Sequence, residues 1–159
     1  PFFENLGKRL IKSPKLYFLD SGLVCHLLGI ESDAELRRSP FLGAVFEGLI
    51  ASEIAKSQLH RGLRRELYYF RDQQGLEVDF LVPAKGGTIR LIEAKASKSV
   101  NPQMVEPMRK LAEAFKRTKL RRRVEMTLVH EASRQGPGFE TVAPGVRALS
   151  WQVWASAGV

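Results

Sequence analysis

The sequence has a single cysteine, Cys25. That excludes an internal disulfide and any zinc site built from several cysteines, and it suits a reducing cytoplasm. Its three histidines, His26, His60 and His130, show no metal-ligand spacing among themselves. No Gly-x-x-x-x-Gly-Lys-Ser/Thr phosphate loop occurs, so this stretch is not expected to bind ATP. No apolar run reaches membrane-spanning length, and no signal peptide, internal repeat or long low-complexity segment is visible. The first residue is Pro1 rather than Met, which points to sequence upstream.

What is present is an ordinary globular composition with a basic balance. The 159 residues are 44% hydrophobic, enough for one domain with a real core and a small appendage. Net charge is +8, from 25 Lys and Arg against 17 Asp and Glu, which favours polyanion partners. The densest basic run is 116–123, containing Lys116, Lys119, Arg121, Arg122 and Arg123. It reads either as phosphate contact or as a solvated surface. Arg61, Arg64 and Arg65 form a second cluster.

The spacing predicts a short strand over Lys15 to Leu19, then a helix capped by Asp20 or Ser21 and stopped at Gly29. Residues 30–40 read as a polar connection. A long helix follows from Leu42 to Leu59, with Val45, Phe46, Leu49, Ile50 and Ile54 on its apolar face. Leu67 to Phe70, Glu77 to Val82 and Ile89 to Lys95 read as three antiparallel strands joined by turns. Asn101-Pro102 opens a third helix running to Phe115, and Val124 to Val129 is a further strand. Residues 133–137 read as loop, and Trp151 to Trp154 closes the fold. The order is α-β-β-β-α-β after an N-terminal arm, an α/β fold with a mixed sheet. Residues 1–40 form the arm and 41–159 the main domain.

The informative residues are acids where a strand should bury apolar surface. Strict alternation puts Glu77, Asp79 and Leu81 on one face of their strand, opposite Val78, Phe80 and Val82. Leu91, Glu93 and Lys95 share a face of the next strand. If the two strands pair, carboxylates and an ammonium converge on one patch. Ions of the Mg²⁺ type bind through one or two carboxylates plus substrate phosphates. On the long helix, Glu53 falls inside the apolar arc and Glu47 at its edge. A carboxylate facing a sheet must be paired, metal-bound or protonated. For Glu53 a plain salt bridge is the simpler reading.

Glu47, Asp79 and Glu93-Ala94-Lys95 together resemble the signature of the PD-(D/E)xK nuclease superfamily, whose α-β-β-β-α-β core matches the order above. Val78 stands where the signature has proline. The helix from Gly43 to Ile50 is similar to the first helix of archaeal Holliday-junction resolvases. The resemblance implies a restriction-endonuclease-like fold, Mg²⁺ or Mn²⁺ held by Glu47, Asp79 and Glu93, and Lys95 positioning or activating water. A wider resemblance rests on Lys15 to Leu23, Gly43 to Glu47, Tyr69 to Asp72, Gly75 to Phe80 and Ile92 to Ser97. These segments look like the DUF4143 domain, the C-terminal part of prokaryotic AAA-type ATPases. That resemblance implies an upstream ATPase module and a winged-helix segment as intramolecular partners.

The expected function is a metal-dependent nuclease or a derived DNA-binding module, cytoplasmic and without a membrane partner. The alternative is a catalytically silent protein-interaction or oligomerisation module in which the acids and Lys95 form a structural charge network. The apolar residues Phe2, Phe3, Leu6, Leu10 and Ile11 of the arm are expected to meet the upstream part, the sheet, or a second copy in a homodimer. His26 and Cys25 read as packing residues, and Tyr69 and Arg71 as a cross-strand pair or as the border of the site.

Overall fold

A computed structural model describes residues 13–117, 122–131 and 139–157. The apolar arm residues Phe2 to Ile11, the loop at 133–137, and the candidate phosphate contacts Lys119 and Arg121 lie outside the described residues.

The first helix, α1 (Ser21–Leu27), begins where the Asp20 carboxylate accepts from the Leu23 amide at 2.9 Å, and Gly29 at φ 68° turns the chain out of it. A second helix, α2 (Asp33–Arg38), replaces the expected polar connection. Ser32 caps it, and an Asp33–Arg37 pair at 2.8 Å supports it one turn on. The long helix α3 (Leu42–His60) is present as expected. Then come β1 (Tyr68–Arg71), β2 (Glu77–Pro83) and β3 (Ile89–Lys95). Asn101 caps a 3₁₀ turn over Pro102–Val105 before α4 (Glu106–Lys116). Pro107 lies in the first turn of α4, where its missing N–H has no partner to lose. The chain continues through β4 (Val124–His130), β5 (Phe139–Ala143), β6 (Val146–Ser150) and α5 (Trp151–Ser156).

The expected α-β-β-β-α-β order therefore runs from α3 to β4, and a hairpin and a helix extend it. The six strands form one mixed sheet in the order β1-β2-β3-β4-β6-β5. β1, β2 and β3 are an antiparallel meander, β3, β4 and β6 are parallel, and β5 returns antiparallel at the far edge. Helices cover both faces. Val105, Met108, Leu111 and Phe115 pack with Phe70, Val78, Leu81 and Leu91 on one side. Phe46, Ile50, Ile54 and Trp154 pack with Phe80, Val82, Ile92 and Val129 on the other. Among the described residues, no helix is long and apolar enough to cross a membrane.

Three local expectations fail for physical reasons. Residues 15–19 join no ladder and form no element. Their side chains bond to α3 instead, and Ser52 Oγ donates to the Leu19 carbonyl at 2.7 Å. His26 is exposed and Cys25 only half buried, because α1 lies at the edge of the molecule and buries none of its residues. The alternation in β2 also breaks. Val78 and Leu81 both belong to the α4-side core, although three positions apart. Tyr68 pairs with Leu81 but Phe70 with Val78, so β2 carries an extra residue, a bulge at Asp79-Phe80.

Candidate functional site

The bulge lies at the acidic centre. Bulges re-aim side chains and interrupt pairing. Here Asp79 is released from the regular ladder, and its Oδ2 accepts from the Ala94 amide at 3.0 Å on β3. That bond ties the β2 carboxylate to the strand that carries Glu93 and Lys95. Lys95 Nζ lies 2.9 Å from Glu93 Oε2 and 3.8 Å from Asp79 Oδ2. The expected convergence of Asp79, Glu93 and Lys95 is therefore present.

Glu47, in the second turn of α3, joins through an intermediary. Lys15 Nζ donates to Glu47 Oε1 at 2.9 Å, lies 2.7 Å from Glu77 Oε1, and stands 4.0 Å from Asp79 Oδ1. The Tyr17 hydroxyl donates to the same Glu47 oxygen. Beneath the ammonium lies the ring of Tyr69, 5.2 Å away. Arg71 stands opposite Glu77 in the β1–β2 ladder, 3.4 Å from its second oxygen, so that pair is cross-strand as expected. Glu53 pairs with Lys56 at 3.1 Å along α3, the plain salt bridge expected of it.

Lys15 and Tyr17 were missed as site residues because they looked like alternating strand positions. The only signal was their pattern. Lys15 and Tyr17 point inward while Leu16 and Phe18 are exposed, which suits a strap with one polar and one apolar face.

Four carboxylates and two ammonium groups thus share a half-buried volume. Burial, and then the charge of Asp79, push the Glu93 carboxyl up to about 8, against the opposing pull of Lys95. Burial opposes the charge on Lys15, but hydrogen bonds to Glu77 and Glu47 outweigh it and hold the ammonium above the usual lysine range. Lys95 is likewise held above that range, with burial outweighed by the charges of Glu93 and Asp79. Burial, and then the bond to Glu47, raise the Tyr17 hydroxyl.

The donor set suits one ligand class. Glu93 is almost fully buried, and its Oε1 has no hydrogen-bond partner. An orphaned carboxylate oxygen beside a second carboxylate is what a hard cation needs, and Mg²⁺ and Mn²⁺ take oxygen ligands. Asp79 and Glu93 fit such an ion. Glu47 is engaged by Lys15 and Tyr17, and among the described residues no group of three or more His, Cys, Asp or Glu side chains is arranged to hold a metal.

The basic candidates are separate. Arg109, Lys110, Lys116, Arg117, Arg122 and Arg123 line a broad groove of about 1390 Å³ along α4 and the start of β4. Several are already partnered. Lys116 pairs with Glu113 at 2.6 Å, Arg109 with Glu106 at 3.2 Å, and Arg123 lies 3.8 Å from Glu125. His130 is buried at the end of β4, in register with Lys95.

A family model described as "Domain of unknown function (DUF4143)" matches residues 42–143, from the first residue of α3 to the last of β5. The chain belongs to this family. A second model, "Domain of unknown function (DUF8612)", matches residues 1–34. The chain is also similar to an uncharacterized protein of Mycobacterium bovis and to one of Mycobacterium tuberculosis. Each is 42% identical over 86 residues, which is 54% of this chain and 19% of the relative. The chain thus spans about a fifth of the length of these relatives.

Proposed function

We propose that this DUF4143 member is a nuclease domain of the PD-(D/E)xK kind, carried on a larger AAA-type ATPase and acting on DNA. The observation that carries the reading is the Asp79–Lys95–Glu93 cluster at the β2 bulge, with one buried carboxylate oxygen left unpartnered. Asp79 and Glu93 would hold Mg²⁺ or Mn²⁺, with Glu47 joining them once freed from Lys15. When bound, such an ion polarises a phosphoryl oxygen and lowers the pKa of water. Lys95 contributes an ammonium held within reach of both carboxylates. It orients the attacking water and stabilises negative charge developing on the phosphate. Water adds to phosphorus, the bond to one sugar oxygen breaks, and that oxygen leaves with a proton.

The basic groove supplies sequence-independent attraction for the phosphate backbone, and the upstream ATPase moves or assembles the substrate. The test is calorimetric. Wild type should bind Mn²⁺ in the millimolar range or tighter, and an Asp79→Ala/Glu93→Ala double variant should not. A Lys95→Ala variant should keep metal binding and lose cleavage of a labelled duplex. Equal heats from wild type and the double variant, or none from either, would remove the metal site.

One observation favours a second reading. Lys15 already pairs with both Glu47 and Glu77, as a purely structural charge network would have it. In that case the domain is a silent interaction module of the ATPase, and metal changes neither stability nor nucleic-acid affinity.

A further inference from the structure

We infer that Lys15 is a tethered cation that closes the acidic centre, so that its ammonium and a divalent ion compete for Glu47 and Asp79. The inference rests on the metal-binding reading above and adds its regulation.

The geometry is that of a cation site filled from within the chain. Lys15 Nζ meets carboxylate oxygens of Glu47 at 2.9 Å and Glu77 at 2.7 Å, with Asp79 at 4.0 Å, and the Tyr69 ring closes the fourth side. These groups come from α3, β1 and β2, so the ammonium ties the long helix to the first two strands. Lys15 and Tyr17 both bond Oε1 of Glu47, so a divalent ion that takes this oxygen displaces them. A divalent ion drawing on Glu47 as well as Asp79 would stand within a few ångström of Lys15, and like charges at that distance repel strongly. Loading through the Glu47 oxygen that Lys15 holds therefore requires the ammonium to leave.

The segment that carries Lys15 is built so that it can leave. Residues 13–19 belong to no helix or strand. They are held by side-chain contacts: Lys15 to Glu47 and Glu77, Tyr17 to Glu47 and against the Phe80 ring, Ser52 Oγ to the Leu19 carbonyl, and the Tyr69 hydroxyl to the Ser13 carbonyl. Two of those bonds end on Glu47 itself, so a metal ion that recruits Glu47 also loosens the strap. Elements with few buried apolar contacts open first. On the strap, Leu16, Phe18 and Leu19 are all at least half exposed.

The test compares Mn²⁺ affinity across three versions of the 159-residue chain. Lys15→Met keeps the stem over Tyr69 and deletes the charge, and should bind Mn²⁺ about tenfold more tightly than wild type or better. Lys15→Arg keeps the charge and should bind no more tightly than wild type. Adding Asp79→Ala and Glu93→Ala to Lys15→Met should abolish binding. Equal affinity in wild type and Lys15→Met overturns the competition and leaves the metal site standing. No binding by any version, Lys15→Met included, removes the metal site and the competition with it. Amine-reactive labelling of the wild-type chain, read by mass spectrometry at Lys15, keeps the proposal testable should Lys15→Met fail to fold. Saturating Mn²⁺ should raise the labelling rate at Lys15 several-fold while Lys56 is unchanged. An unchanged rate at Lys15 with metal bound overturns the proposal.

Discussion

At the ends of β2 and β3 where Glu77 and Lys95 lie, the side chain of Glu93 is 3% exposed, that of Asp79 12% and that of Lys95 37%. Along α4, Lys116 and Glu113 form a shorter ion pair at 67% and 59% exposure. The shorter pair is the weaker determinant. Exposed pairs give up little hydration and are screened by salt, whereas a buried carboxylate must be paired, protonated or metal-bound. The acidic centre therefore constrains both the fold and the protonation state of its members. The basic groove constrains neither and offers only a solvated field. Charge count alone does not separate the two regions; desolvation does.

The comparison breaks most readily at Lys95. In the metal-free protein, Lys95→Ala leaves Asp79 and Glu93 facing one another without their shared cation. Glu93, its carboxyl pushed up to about 8, already holds its proton at pH 7, so the charge left without a cation is that of Asp79, and the loss is expected to be about 1–2 kcal/mol rather than the penalty of two unpaired buried charges. Urea unfolding at pH 7 measures it. Lys116→Ala, which removes the shorter bridge, should leave the urea midpoint unchanged. A Lys95→Ala/Glu93→Gln double variant should lie close to Lys95→Ala at pH 7, because the glutamine replaces a carboxyl that is already neutral there.

The next effect is a pH dependence. Glu93 titrates near 8 in the folded chain, against about 4.5 for an ordinary glutamate. The folded state therefore holds a proton that the unfolded state has released across that interval. Stability falls as more protons are bound in the native than in the unfolded state, so the metal-free protein should weaken as pH rises from about 4.5 to about 8. Glu93→Gln should flatten this slope, matching wild type near pH 5 and exceeding its stability near pH 8, by on the order of 1 kcal/mol or more. Lys15 and Lys95 act in a different window. Their raised values contribute stability that is full below the ordinary lysine value and lost only as pH climbs through the folded value. A thermal melt series from pH 5 to pH 8 in the presence of a chelator isolates Glu93. An identical slope in Glu93→Gln would mean that another group carries it.

Much of this arrangement could be read before any coordinates. The long helix shows in the spacing of Val45, Phe46, Ile50 and Ile54, and the meander shows in three apolar runs separated by turn residues. Asp79, Glu93 and Lys95 stood out because strands rarely place charge between Val78 and Phe80 or after Leu91-Ile92. Two things escaped. Strict alternation put Asp79 and Phe80 on opposite faces, and a one-residue bulge is invisible to a period-two reading. Lys15 escaped because its partners are far along the chain: Glu47 is 32 residues away and Asp79 further still. Periodicity carries no information about such contacts. By contrast, α2 was legible and overlooked. Ser32 followed three residues later by Glu35 is a helix-start signature, and Ser32 Oγ does accept from the Glu35 amide. The hairpin of β5 and β6 gave weaker signals, because Phe139 to Ser150 mixes short apolar alternation with Pro144-Gly145 at its turn.

The smallest and most sharply resolved effect belongs to the groove. Affinity for duplex DNA should fall with salt, with a log–log slope of about −0.9 for each phosphate contacted. Arg122 and Arg123 line the groove, so replacing both with alanine should make the slope shallower by up to about 2. Lys116 also lines the groove, but its ammonium is held by Glu113, and that partner must be displaced before a phosphate is engaged. Arg123 stands farther from its partner Glu125, at 3.8 Å, so Lys116→Ala should change the slope by less than Arg123→Ala does. Glu113→Gln frees the ammonium and should steepen the slope instead. Fluorescence anisotropy with a labelled duplex across 50–300 mM salt resolves these differences. Should Glu113→Gln leave the slope unchanged while Arg122 and Arg123 matter, the phosphate path runs along the start of β4 and not along α4. Should none of the variants alter it, the groove is a solvated face, and the contrast with the acidic centre becomes one between a site and no site.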